Sequence, residues 1–276
     1  MNKTLKKLLS GDLRLKRLMR TVLLFPFLIY LGFLIYAYFF SERLIFQPQP
    51  ASYRDDGAGI VKLISSNGAK ISARFYENPD AAHTILFSHG NAEDIGIADY
   101  TAREFRKNGF AVLVYDYQGY GTSEGAASEE NSYRDVDAAY DHLTSERKIP
   151  PEKIIVYGRS LGGAVAIDLA SRRKVGGLIA ESTFVTAFRV LTKIPIFPFD
   201  KFQNIKKIKN VKCPVLFVHG RKDTLIPFRH AEKLFAEANE PKFSFWIDEA
   251  GHNDVFSVGA ESYLRKIRDF ADNLPK

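Results

Sequence analysis

KIIVYGRSLGGAVAIDLA, residues 153–170, is the stretch on which the reading of the chain turns. Ile154–Tyr157 are β-branched and aromatic, the composition of a buried strand, while Leu161–Ala170 reads as a helix rich in Gly and Ala. Between them lies Gly158-Arg159-Ser160-Leu161-Gly162. A strand that passes into a helix this abruptly needs glycine on both sides of the turn, and the residue at its apex takes a strained conformation with its side chain exposed. Ser160 occupies that apex. The helix that follows points unpaired N–H groups, Leu161 first, toward the same place, so charge developing there on a carbonyl oxygen would be stabilised.

The neighbouring sequence has the same grain. Short apolar runs recur at TILFS (84–88), FAVLVYDY (110–117), GGLIAE (176–181), PVLFVHG (214–220) and KFSFWID (242–248), besides KIIVYG (153–158). Amphipathic segments near 97–108, 131–147, 161–173, 228–239 and 256–272 separate them. Runs that are apolar throughout, and not alternating, belong to strands covered on both faces. The pattern therefore predicts a mostly parallel α/β sheet with helices on both faces. Ahead of it, 60–65 and 70–76 flank Ser66-Asn67-Gly68-Ala69, where Asn-Gly signals an antiparallel hairpin.

In such sheets ligands gather beyond the carboxyl ends of the strands. A serine needs a base to take its proton, and the base needs a carboxylate to orient it. His252 follows the last run in Asp248-Glu249-Ala250-Gly251-His252, and Asp223 follows the one before it. The order Ser160, Asp223, His252 is the one this topology uses. Asp248, Glu249 and Asp254 are rival acids, but the first two close a strand and the third opens a helix. His89 and His219 each precede a glycine at a strand end and read as braces of backbone turns; His83, His142 and His230 read as surface positions. The loop His89-Gly90-Asn91 after 84–88 supplies a second oxyanion donor in the Asn91 N–H, with the Asn91 side chain either spare or holding the loop in shape. The Gly119–Gly125 loop has the wrong spacing for a dinucleotide site, no metal-binding pattern is present, and no cofactor is implied. Residues 182–212, with Phe184, Phe188, Phe197, Phe199 and Phe202, overhang the nucleophile and predict a small cap that either lines an acyl or aryl pocket or fills core.

Charge and hydropathy set the context. Nearly all of the formal net charge of +7 comes from residues 1–20, which hold seven of the 39 Lys and Arg against Asp12 alone; the rest is near neutral, so nucleic acid is not an expected partner. Thr21–Phe40 carries no charge, and as a helix it reaches about 30 Å, the thickness of a bilayer's hydrocarbon core. The sequence thus divides into a basic segment 1–20, a transmembrane anchor 21–40 in contact with lipid, a polar linker 41–59 and a domain 60–276. Leu5–Met19 adds an amphipathic stretch suited to anionic lipid. With the basic cluster on the N-terminal side, the expected orientation is single-pass, N-terminus cytoplasmic and domain extracytoplasmic. Cys213, the only cysteine, excludes an internal disulfide and reads as a small core residue.

Taken together, FSHGNAEDIG (87–96), YDYQGYGTSEG (115–125), SEENSYRDVDAAYDHL (128–143), YGRSLGGAVAIDLASR (157–172), FDKFQNIKKI (199–208), CPVLFVHG (213–220) and AGHND (250–254) resemble the membrane-associated α/β-hydrolase-domain serine hydrolases, over roughly residues 43–272. That group includes anchored enzymes and eukaryotic protein depalmitoylases. The resemblance implies the α/β-hydrolase fold, hydrolysis of an ester or thioester of a small-molecule, lipid-like or protein-bound acyl group, and Ser160, Asp223 and His252 as the triad. An amide or peptide substrate, as in the serine aminopeptidase-like members, is the alternative. Depalmitoylases of the group attach through an N-terminal cysteine cluster; residues 1–50 here contain no cysteine, and the apolar helix stands in its place. A non-catalytic, membrane-anchored binding module is the rival of another class, and would be expected to have lost one of the three residues.

Overall fold

The computed structural model describes residues 3–56 and 59–275, with side chains from Arg17 onward. The chain divides into two compact units, Met1–Ile45 and Phe46–Lys276. The first is one helix, α1 (Lys3–Ile45), which runs unbroken through Pro26. Its part Arg17–Ile45, 29 residues with a mean hydropathy of 2.2, is long and apolar enough to cross a membrane. Helix thus continues five residues past the expected end of the anchor, into what the sequence predicts as linker. The face of Leu5–Met19 lies largely outside the described side chains.

The second unit is built on an eight-stranded sheet in the order β1-β2-β4-β3-β5-β6-β7-β8. The hairpin β1 (Ile60–Ile64) and β2 (Lys70–Tyr76) pairs antiparallel, and β2 joins β4 (Ala111–Tyr115) antiparallel as well. From β4 through β3 (Thr84–Ser88), β5 (Ile154–Arg159), β6 (Gly177–Glu181), β7 (Val215–Gly220) and β8 (Lys242–Ile247), every pairing is parallel. The mostly parallel sheet with an antiparallel N-terminal hairpin is the expected one.

Strand periodicity divides the apolar residues between two layers. Ile85, Phe87, Val112, Val114, Ile155, Tyr157, Ile179, Leu216 and Val218 share one core cluster with Phe105 of α2 (Ile95–Lys107) and Tyr263, Ile267 and Phe270 of α8 (Val255–Asp272). The other face packs on α3 (Glu129–Asp141), α4 (Leu161–Arg172) and α7 (Arg229–Glu237). Each such fully buried Leu, Ile or Phe stabilises the fold by roughly 1.5–3 kcal/mol relative to exposure. Both faces are therefore closed, as continuous apolar runs require.

Register then decides what meets at the sheet's carboxyl edge. Ser88 of β3 lies opposite Gly158 of β5, and Arg159 opposite Glu181 of β6. The loops following β3, β5 and β6 consequently emerge side by side.

The segment 182–212 forms two single-turn α-helices, α5 (Phe188–Leu191) and α6 (Asn204–Lys207), and a 3₁₀ turn, Ile208–Asn210. Its aromatics split between the two expected roles. Phe184 and Phe202 are buried core, whereas Phe188, Phe197 and Phe199 pack on one another beside exposed Leu191 and Ile194.

Candidate active site

Ser160 stands between β5 and α4 with φ 55° and ψ −115°, a left-handed conformation that costs a non-glycine residue of order 1–3 kcal/mol and persists only where its surroundings enforce it. The flanking glycines show how. A Cβ on Gly158 would come within 2.1 Å of the Gly162 carbonyl oxygen, and one on Gly162 within 2.0 Å of the Ser88 carbonyl oxygen. Backbone atoms fill the space on both sides, so only glycine lets β3, β5 and α4 approach. Hydrogen bonds fix the turn: the Ser160 N–H donates to the Glu181 carbonyl at 2.8 Å, and the Thr183 hydroxyl donates to the Ser160 carbonyl at 2.9 Å.

The loops after β7 and β8 bring Asp223 and His252 to this apex. His252 Nε2 lies 3.0 Å from Ser160 Oγ, and Nδ1 lies 2.7 Å from Asp223 Oδ2. Asp223 Oδ1 accepts the N–H groups of Leu225 at 2.9 Å and Ile226 at 2.7 Å, which locks the carboxylate's orientation. Burial alone would raise the Asp223 pKa, but the His219 and His252 rings and the Ile226 N–H outweigh it and hold the carboxyl well below its usual range. An ionised carboxylate only accepts hydrogen bonds. Nδ1 of His252 must then carry the ring proton, leaving Nε2 free to accept the Ser160 hydroxyl proton.

The rival acids are engaged elsewhere. Asp248 pairs with Arg221 and Glu249 with Lys222, while Asp254 accepts the Gly251 N–H at 2.6 Å. The His89 ring bonds the Gly90 carbonyl at 2.9 Å, and His219 the Ile226 carbonyl at 2.8 Å. Two expected surface histidines, His142 and His230, are buried. Helical period alone places them outward, but the turn after α3 widens at His142–Glu146, and the cap covers His230, whose Nδ1 accepts the Val185 N–H at 3.3 Å. Burial pushes the Cys213 thiol up to about 12, so it stays a thiol.

The Asn91 loop follows β3. Its side-chain oxygen accepts the N–H of Ala92 at 3.1 Å and of Gln47 at 3.0 Å and the hydroxyl of Tyr120 at 2.5 Å, so the side chain holds the loop in shape. Ala92 itself has φ 59°.

Comparison with known proteins places this geometry in a lineage. The family described as "Serine aminopeptidase, S33" matches residues 79–198. "Alpha/beta hydrolase domain-containing protein 17B" of Xenopus tropicalis is 38% identical over 236 residues, covering 83% of this chain and 80% of that protein. The human protein of the same description is 37% identical over the same shares. This chain belongs to the α/β-hydrolase-domain serine hydrolases. In fold it is similar to an esterase of Pyrococcus furiosus, with a TM-score of 0.69 at 20% identity, over 83% of this chain and 98% of that one.

One part of this hydrolase's site was not anticipated. Arg159, the residue before the serine, donates to Glu93 in the Asn91 loop and to Asn253 Oδ1 at 2.9 Å beside His252, and its Nε lies 3.7 Å from Glu181. Glu93 in turn accepts the Gly90 N–H at 2.7 Å. Glu181, only 2% exposed, accepts the hydroxyls of Tyr157 at 2.9 Å and Tyr263 at 2.5 Å. One guanidinium thus ties the loops after β3 and β8 to the end of β6. The available signal was a charged residue inside an otherwise small and apolar turn. Among the described residues, no group of three or more His, Cys, Asp or Glu is placed to hold a metal ion.

Proposed function

We propose that this chain is a membrane-anchored hydrolase that cleaves a carboxylic ester or thioester through an acyl-enzyme on Ser160. The observation that carries the proposal is the unbroken Ser160–His252–Asp223 chain of 3.0 and 2.7 Å contacts at a strained turn, where Ser160 is 8% exposed. His252 takes the Ser160 proton as Oγ attacks the acyl carbonyl, while Asp223 stabilises the imidazolium. The Leu161 and Asn91 main-chain N–H groups are assigned to the oxyanion. The imidazolium then protonates the leaving alcohol or thiol. Water, deprotonated by the same ring, attacks the acyl-enzyme and regenerates Ser160. The preference for oxygen or sulfur esters follows the resemblance to the group that includes protein depalmitoylases. An amide substrate is the second reading, favoured by the match to the serine aminopeptidase family.

Anchoring is assigned to α1, whose residues 21–40 would contact lipid, with the basic N-terminal side in the cytoplasm and residues 60–276, the hydrolase domain, across the membrane. A fluorophosphonate probe should label the wild type and leave Ser160→Ala unlabelled; equal labelling of both refutes the nucleophile, and no labelling of the wild type favours a non-catalytic binding module. Hydrolysis rates on p-nitrophenyl esters, acyl thioesters and aminoacyl anilides then separate the substrate classes. Protease protection of the C-terminal domain in sealed vesicles tests the orientation.

A further inference from the structure

Between the apolar helix and β1 the chain does not hang free. Phe46 is only 5% exposed, its ring set against those of Tyr120 and Phe202 at 6.5 and 5.8 Å between centroids. The next residue reaches the oxyanion loop: the Gln47 N–H lies 3.0 Å from Asn91 Oδ1 and 3.1 Å from the Tyr120 hydroxyl, which itself donates to Asn91 Oδ1. Five residues on, the Ser52 N–H donates to Asp94 Oδ2 at 2.6 Å and the Ser52 hydroxyl to Asp94 Oδ1. Asp94 caps α2 by accepting the Ile97 N–H at 3.0 Å. Tyr53 donates to Asp116, whose other oxygen accepts the Ile95 N–H at 2.8 Å. The fit is close enough that a Cβ on Gly96 would meet Ser52 Oγ at 2.3 Å.

One run of chain, 46–53, therefore grips both ends of the loop 90–94. That loop needs holding, because Ala92 sits at φ 59°, where an L-residue stays only if its surroundings over-determine it. We propose that residues 46–53 are a positioning strap for the oxyanion loop, making the segment that follows the apolar helix a working part of the catalytic site. The inference rests on the assignment of the Asn91 N–H to the oxyanion. Gln47 acts through its main-chain N–H and Tyr120 through its hydroxyl; neither touches substrate.

The test uses the full chain in detergent micelles. Gln47→Pro deletes the N–H, Tyr120→Phe deletes only the hydroxyl oxygen of a buried ring, and Gln47→Ala keeps the N–H. Readouts are kcat and KM on an ester, melting temperature, and inhibition by a trifluoromethyl ketone. That inhibitor forms a hemiketal: Ser160 Oγ bonds the ketone carbon, the hydroxyl proton passes to His252, and the former carbonyl oxygen becomes an anion in the oxyanion hole. Loss of a whole oxyanion donor lowers kcat by about 10²–10³-fold, so a displaced loop is expected to lower it by about 10-fold. Inhibitor affinity should fall in parallel, with KM little changed and Gln47→Ala following the wild type. Values of kcat and inhibitor affinity within about twofold of wild type in both Gln47→Pro and Tyr120→Phe overturn the strap, as does a lowered melting temperature with both values intact. Should Gln47→Pro not fold, Tyr120→Phe decides alone. An inactive wild type, by contrast, refutes the hydrolase reading itself.

Discussion

Replacing Asp223 by asparagine tests the proton arrangement at the site more sharply than removing the serine does. Oδ1 of Asp223 receives two main-chain N–H groups, from Leu225 and Ile226, so an amide at this position keeps its carbonyl oxygen on that side. Its NH2 group is then forced toward His252 Nδ1, 2.7 Å away in the parent. Two donors cannot face each other at that distance. The ring adopts the other tautomer, with Nδ1 accepting and Nε2 protonated, and an N–H now points at Ser160 Oγ where a lone pair is required. The imidazolium that forms on attack also loses its counter-charge. Where an orienting carboxylate of this kind becomes an amide, kcat falls by about 10⁴-fold. At 1.36 kcal/mol per decade that is about 5.4 kcal/mol of transition-state stabilisation. The assay is kcat on a p-nitrophenyl ester near neutral pH, with the melting temperature recorded for both proteins. A loss smaller than 10-fold in a folded Asp223→Asn variant would refute the assigned tautomer and, with it, the role of Asp223.

Three other expectations follow from particular contacts. Gly162→Ala would push a methyl group to 2.0 Å from the Ser88 carbonyl oxygen, which belongs to a central strand and cannot yield; the variant should be recovered misfolded, or folded with fluorophosphonate labelling abolished, as gel-based labelling would show. Arg159→Met leaves Glu181 buried without its counter-charge and releases Glu93 and Asn253. Breaking a buried pair costs roughly 3–5 kcal/mol, and because Arg159 is itself partly exposed the loss should fall toward the lower end in a urea titration. Burial first, then the neighbouring Arg229 and His219, lower the His230 pKa from 6.5 to about 4. Below pH 6.5 the unfolded chain gains a proton that the folded chain refuses, so stability should fall between pH 6.5 and about 4, and this group adds no further loss below that. His230→Asn, whose side-chain oxygen can still accept the Val185 N–H, should flatten that part of the melting-temperature profile; an unchanged slope would refute the assignment.

How far the sequence carried the fold depends on where the driving force is local. Strands such as 84–88 and 215–220 announce themselves because both faces are covered, so Ile85–Phe87 and Val215–Val218 are unbroken apolar runs. Asn67-Gly68 shows the hairpin, since Gly68 takes φ 88° at the turn. The end of the helix was not legible at Phe40, because the uncharged run stops there while Ser41–Ile45 continue the helical hydrogen bonding. Polarity misled the reading of 46–53 too. Gln47, Ser52 and Tyr53 look like linker residues, yet each is hydrogen-bonded to a loop more than 40 residues away.

The site divides along the same line. Ser160, Asp223 and His252 were legible because chemistry restricts their type and topology restricts their order, so each could be sought after a particular strand. Arg159, Glu93, Glu181 and Asn253 were not, because nothing in the spacing of 93, 159, 181 and 253 says that register will set β3 beside β5 and β5 beside β6. Parallel strand order is fixed by the packing of helices on both faces, a property of the whole sheet. Any residue whose partner lies across that order can only be read once the order is known. The same reasoning says where the site tolerates change. A substitution that leaves Arg159 and Glu181 in place but cuts one outer tie, such as Asn253→Ala, should shift kcat before it shifts the fold, because that tie orients a loop whose end β8 already holds.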